Sequence, residues 1–445
     1  MRINKKTSIL VHLFISYLIF LLPLFLVGSG LGRLTSYLLT LLTSSLAIIY
    51  LSFMFRNIFA INITILAMTG FGLKILIGYM FWEFYIWPDY FNQYSNMAFD
   101  HYEYLFTQTS ILQTATHRLE NNFFSPPPLI YALTQGKYIF INYIMSNLYM
   151  SGNSNLLDFS IQNSLFSVYT AVVIALISIS FGTTKKQTKI IFIISLFQPF
   201  SFISTMFWRD VVGQFFAILG IYFLLSSFNS PILRASFLIL ISSLSMFLLR
   251  SVYVIIPIFL YLLKYFKDGV ISIRKGSILL VLFALVALIL FKTNLVGVLG
   301  DGYSSYLSIF GISFILLLPL DYIKALIGPF PWTNWLEFND NTIFHIANYF
   351  QAVYVVAILY FTIKFYKSSK SELKFYTSFI FLILLSMSLI TKDVHTEYYS
   401  FAVAILLPIT AKYLTIKRFV FVYSIVFVFF IVLNVVYSLL GLVLG

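Results

Sequence analysis

Apolar runs long enough to cross a bilayer recur along almost the whole chain, and this most constrains its fold. A membrane helix needs roughly 20 consecutive apolar residues. Such runs occupy residues 9–27, 37–55, 58–81, 160–182, 190–208, 211–228, 232–249 with 252–266, 276–291, 309–327, 343–366, 375–391, 401–416 and 419–444. Of the 445 residues, 60% are hydrophobic and 10% charged, against roughly 25% charged in a soluble domain. No soluble core could absorb that excess, so the bilayer must be the solvent. The expected fold class is all-α: one polytopic membrane domain over residues 1–445, with about 12–13 transmembrane helices and re-entrant segments. Arg250 interrupts the run 232–266, which reads as a bent hairpin, and Pro319, Asp321 and Lys324 mark 309–327 as re-entrant.

One long interval, 82–159, could not lie in lipid. It carries Glu83, Asp89, Asp100, Glu103, Glu120 and Asp158, with His101 and His117, and is dense in Tyr, Asn and Phe. Within it, Ser125–Pro128 is a stiff extended segment, and 137–150 (KYIFINYIMSNLYM) reads as an amphipathic helix on the membrane surface. A second extracytoplasmic segment is expected over 292–342.

Sidedness follows from the distribution of Lys and Arg. MRINKK before the first apolar run resembles a signal peptide, but the run is long and no A-x-A-like cleavage site stands near its end, so it reads as a retained first helix. With the N-terminus in the cytoplasm, three crossings place 82–159 outside. Most of the 28 basic residues then fall inside; of the 15 acidic residues only Asp268 and Glu372 do. The net charge of +13 is thus spread between apolar spans as a topology signal, not as a nucleic-acid face.

The chain has no cysteine and five histidines without an HExxH-like spacing, so it carries no metal signature. It has no Walker A sequence for ATP-driven transport. Polar chemistry gathers instead at the outer helix ends. Arg209 and Asp210, in FWRDVVGQ, join two apolar runs at the membrane edge; they either face a cavity or cap a hairpin in water. Arg250 follows SMFLL and precedes SVYVIIP. A charge in such a place is a functional candidate, and a guanidinium fork suits phosphate oxygens; snorkelling to a headgroup is the alternative. In 321–335 (DYIKALIGPFPWTNW), Gly328, Pro329 and Pro331 break the helix beside Trp332 and Trp335, which line a cavity or form an interfacial belt. Lys392, Asp393, His395 and Glu397 crowd one turn, where His395 and Glu397 suit acid–base work or are simply solvated. Asp89, after Pro88 in IWPDYFNQY, could act as a base toward a sugar hydroxyl. Tyr90, Tyr94 and Trp332 offer stacking faces for sugar rings.

Taken together, the large outer interval, the arginines at outer helix ends, FWRD at 207–210, GPFPW at 328–332 and HTEYYSFAVAILLPI at 395–409 resemble the bacterial O-antigen (oligosaccharide repeat-unit) polymerases of the Wzy type. They also resemble the wider group of lipid-linked-sugar glycosyltransferases with a GT-C-like fold, whose catalytic Asp sits in an outer loop where Asp89 stands here. Arg209 and Gly220 meet an Arg-x10-Gly spacing of the polymerases. The resemblance implies transfer of an oligosaccharide from undecaprenyl diphosphate onto a newly flipped lipid-linked repeat unit, without metal, nucleotide or other cofactor. Arg209 and Arg250 would hold the diphosphate, and Asp89, Asp210, His395 or Glu397 would serve as base. The implied setting is the bacterial inner membrane, multi-pass, with a chain-length regulator as candidate partner and no nucleic acid. The alternatives are a transferase using a polyprenyl-phosphate sugar donor and a lipid-linked oligosaccharide flippase.

Overall fold

In a membrane helix the apolar side chains can face lipid, so small and hydroxyl residues are the ones that pack against other helices. The helix α2 (Arg33–Phe59) shows this inversion. Ser36, Thr40, Thr43, Ser44, Ala47, Ile48, Leu51 and Ser52 form a buried stripe, while Leu34, Leu38, Leu42, Leu46, Ile49 and Phe53 are exposed on the other face. The structure, a computed structural model, describes residues 5–27, 33–59, 63–81, 156–199, 201–202, 210–225, 342–368 and 406–444, with positions 116–118, 120, 144, 146–148 and 150–151 of the long polar interval. Every regular element among the described residues is an α-helix. Five are long and apolar enough to cross a membrane, which marks the chain as a helical membrane protein. The chain divides into two compact units.

The first unit holds α1 (Lys5–Val27), α2, α3 (Thr64–Phe81), α4 (Leu156–Ser180), α5 (Lys185–Leu196) and the start of α6 (Asp210–Leu225). α1 and α2 pack antiparallel: His12 Nδ1 lies 3.0 Å from the Tyr50 hydroxyl, and Ser16 Oγ donates to the Ala47 carbonyl at 2.8 Å. Ser36 Oγ, near the start of α2, donates to Asp158 Oδ2 in the first turn of α4 at 2.8 Å. Those two helices therefore begin at the same end of the bundle.

α4 is the centre of this unit. Every residue from Asp158 to Ser178 is buried, and α2, α3 and α5 pack around it. Its sequence explains the position. Ser160, Gln162, Asn163, Ser164, Ser167 and Thr170 would be costly against lipid, whereas protein neighbours can satisfy them. The turn after α4 contains Gly182 at φ +76°, a left-handed conformation in which a Cβ would clash with the backbone. A capping box follows: Gln187 N donates to Thr184 Oγ1 at 3.3 Å, and Thr184 N donates to Gln187 Oε1 at 2.9 Å. This cap satisfies two of the open amides at the start of α5 and folds α5 back along α4.

The ends of the bundle differ in charge. Asp158 and Ser36 mark one end. Arg56 lies 20 residues beyond Ser36 on α2, and α4 ends a similar distance beyond Asp158. Arg56, Lys185 and Lys186 are exposed at that opposite end.

Three sequence expectations shift. The expected span 190–208 contains α5, which stops at Leu196 with Phe197 as its C-cap. Pro199 closely follows, and a proline disfavours continuation through the preceding residue. The expected helix 401–416 is helical over 406–410 and turns over 411–413, and the next helix already begins at Ile416. Of the surface helix expected over 137–150, the described residues 144, 146–148 and 150 are helical, but Ile144, Ser146, Asn147 and Leu148 are buried in protein.

The second unit contains α7 (Thr342–Ser368) and most of α8 (Ile416–Leu444). These pack through aromatic side chains. The Phe350 and Phe427 rings stack 5.5 Å apart at 15°, and the Tyr349 hydroxyl donates to the Phe427 carbonyl at 2.9 Å. Phe421, Ile425, Val428, Phe429 and Val432 of α8 are exposed. This suits a nearly all-apolar helix bordering lipid.

Candidate functional site

An ionisable side chain within a membrane helix costs about 2.5–3.5 kcal/mol on insertion scales and is characteristically turned toward protein or a water-filled cavity. Among its described residues the first unit buries Lys74 on α3 and Asp158 on α4, and also Arg118 of the polar interval.

Lys74 comes from the apolar sequence TILAMTGFGLKILIGYMF of α3. Its side chain is 0% exposed. Nζ donates to Ser167 Oγ at 2.5 Å and lies 5.4 Å from the centre of the Phe202 ring. Among the described residues it forms no ion pair. An ammonium has three donors, so one hydroxyl and a ring face are sparse company at this depth.

Arg118 belongs to the long polar interval and is 1% exposed. Its Nη1 donates to Ser146 Oγ at 2.6 Å and to Asn147 Oδ1 at 2.9 Å. Asn147 Nδ2 in turn donates to the hydroxyl of Tyr17 at 3.3 Å. Tyr17 stands ten residues before the end of α1, about 15 Å along the axis, roughly half the thickness of the hydrocarbon core. Part of the polar interval is thus packed against the middle of a spanning helix. The Tyr17 ring meets Phe166 of α4 at 5.5 Å, and Tyr169, one turn on, shares a hydrogen bond of 2.8 Å with Ser16. Tyr17, Lys74, Asn147, Ser167 and Tyr169 therefore form a polar layer around one turn of α4.

Asp158 stands nine residues before Ser167 on α4, about 13 Å nearer its N-terminus and about half a turn around the helix. It is 0% exposed. Oδ2 takes the Ser36 hydrogen bond, and Oδ1 has no partner among the described residues. The site thus offers a cation in a hydroxyl-rich layer and a carboxylate nearer one end of the bundle. The first can hold an anion, and the second can accept a proton. Among the described residues, no group of His, Asp and Glu could hold a metal ion.

Of the residues singled out in the sequence, Asp210 is the first residue of α6, as expected of an acidic residue at a helix N-terminus. Asp89, Tyr90, Tyr94, Arg209, Arg250, Trp332, His395 and Glu397 lie outside the described residues. Lys74 carried the same signal as Arg250, a lone charge inside an apolar run, and reasoning from intramembrane charge could have found it. Arg118 sits in a polar stretch, TATHRLENN, where nothing marks burial. Asp158 looked like one more acidic residue of a solvated loop.

No protein family, curated protein or solved structure matches this chain.

Proposed function

We propose that this protein polymerises undecaprenyl-diphosphate-linked oligosaccharide repeat units into O-antigen or a related surface polysaccharide, on the outer face of the bacterial inner membrane. The observation that carries the reading is the placement of Lys74, Arg118 and Asp158 inside protein in a bundle of apolar helices. Part of the long polar interval packs against the same bundle through Asn147 and Tyr17. A membrane enzyme acting on an anionic lipid headgroup and a carbohydrate needs such polar material within reach of the bilayer.

In the proposed reaction, an acceptor sugar hydroxyl attacks the anomeric carbon of the growing chain. The new glycosidic C–O bond forms as the bond from that carbon to the diphosphate oxygen breaks. The hydroxyl proton passes to a base, and the lipid diphosphate leaves with the bonding electrons. Arg209 and Arg250 hold the diphosphate, where stabilising the developing charge is the largest expected contribution. Asp89, Asp210, His395 or Glu397 takes the proton, and Tyr90, Tyr94 and Trp332 stack on sugar rings. The N-terminus is cytoplasmic, which agrees with the exposed Arg56, Lys185 and Lys186 at the end of the bundle opposite Asp158.

The test is deletion of the gene in its native host, with analysis of surface polysaccharide and of the lipid carrier. Loss of the polymerase leaves lipid carrying a single repeat unit. Full-length chains lacking one decoration would instead mark a monosaccharide transferase, and unchanged polysaccharide would refute the reading. Complementation with Arg250→Ala should give no polymer despite normal membrane insertion. Arg250→Lys should restore only part of it, because the bidentate fork is lost.

A further inference from the structure

The buried polar residues of α4 are not scattered around it. Ser160, Asn163, Ser164 and Ser167 recur at the three- and four-residue spacing that places side chains on one helical face. All four are buried. Ser167 contacts Lys74, so this face is turned toward α3. Asp158 is about half a turn away from Ser167 and faces Ser36 of α2. The stripe thus runs about 10 Å along α4, from the turn after Asp158 to a lysine ammonium, without the carboxylate on its face. Ser164 Oγ, midway along it, has no hydrogen-bond partner among the described residues and is 0% exposed. At the foot of the stripe, Lys74 uses one of its three donors on Ser167.

A row of hydroxyl and amide groups leading to a cation is matched chemically to an anion rich in acceptor oxygens. Phosphate oxygens accept hydrogen bonds from Ser, Asn and Lys, and their charge would offset that of the buried ammonium. A carboxylate of the protein could do the same, but no carboxylate contacts Lys74 among the described residues. We propose that Lys74, with Ser167 and Ser164, forms a binding site for the phosphate headgroup of a lipid. The choice of a lipid diphosphate over an ordinary phospholipid rests on the polymerase reading above; the anion site itself does not.

The experiment uses the full-length protein in nanodiscs, with undecaprenyl diphosphate as probe and phosphatidylglycerol as competitor, read by native mass spectrometry. Wild type should bind undecaprenyl diphosphate and keep it against excess phosphatidylglycerol. Lys74→Met, which preserves much of the side-chain volume without the charge, should weaken binding at least tenfold. Lys74→Arg should stay within about threefold of wild type, and Ser167→Ala should weaken binding about threefold. Unchanged affinity in Lys74→Met overturns the site. Equal displacement by phosphatidylglycerol overturns the diphosphate as its ligand. If Lys74→Met is not recovered as a monodisperse protein, Ser167→Ala decides, and wild-type affinity in that variant overturns the proposal. Lys74-independent binding in a protein whose deletion still abolishes polymer refutes this site alone. Lys74-dependent binding with polymer unchanged by deletion refutes the polymerase reading alone.

Discussion

The close approach of α3 to α5 at Gly70 can be tested quantitatively. A Cβ added to Gly70 would lie 2.6 Å from both Cγ and Cδ2 of Leu196 and 2.9 Å from Cδ1. Carbon atoms in favourable contact lie about 3.5–4.0 Å apart, so roughly 1 Å of separation would have to open. Leu196 is 0% exposed and has little space into which to rotate. Overpacking of this kind costs about 1–3 kcal/mol. Against it stands the better helix propensity of alanine, about 0.8–1.0 kcal/mol over glycine. The net expectation for Gly70→Ala is a loss of about 1 kcal/mol, and Gly70→Val should lose more. In a Leu196→Ala background the obstructing atoms are absent. There Gly70→Ala should change sign and stabilise by up to about 1 kcal/mol, with a coupling of about 1–3 kcal/mol between the two positions. The assay is unfolding from mixed micelles by increasing SDS, followed by intrinsic fluorescence, on all four proteins of the cycle. Stabilisation by Gly70→Ala in both backgrounds, with no coupling, would refute the helix contact and the reason given for glycine at this position.

Two further predictions concern the buried polar groups. Ser36→Ala removes the hydroxyl that donates to Asp158 Oδ2 and should cost about 1.5–3 kcal/mol, as for a hydrogen bond to a charged group. Asp158→Asn added to it should recover part of that loss by removing the buried charge; a double variant less stable than Ser36→Ala would contradict a carboxylate held by this bond. The native chain has no cysteine, so single cysteines report accessibility cleanly. A membrane-impermeant maleimide should label Thr116→Cys and Glu120→Cys, which are exposed, but not Ser146→Cys, which is buried; rapid labelling at 146 would mean that this segment does not pack against α1.

How far the fold could be read from the sequence differs element by element. The spans α1, α2, α4, α7 and α8 were legible because hydrocarbon imposes a length and a composition on any helix that crosses it. Their ends were less so. The run 190–208 stays apolar past the point where α5 stops, since a break near Pro199 leaves no trace in hydropathy. Of the candidate site, Lys74 stands as a lone charge in an apolar run and went unread although that signal marks it, whereas Arg118 and Asp158 were concealed by polar neighbours typical of a solvated loop.

By itself, the sequence determined that this protein is a helical membrane protein. That conclusion needs only local composition, because each spanning helix satisfies its backbone hydrogen bonds internally. Only the tertiary structure decided which polar residues are surrounded by protein. Ser167 meets Lys74 across 93 positions of chain, and Asn147 meets Tyr17 across 130. No local pattern encodes such pairings, since they depend on which helix faces come together around α4 and how far the polar interval reaches into the bundle.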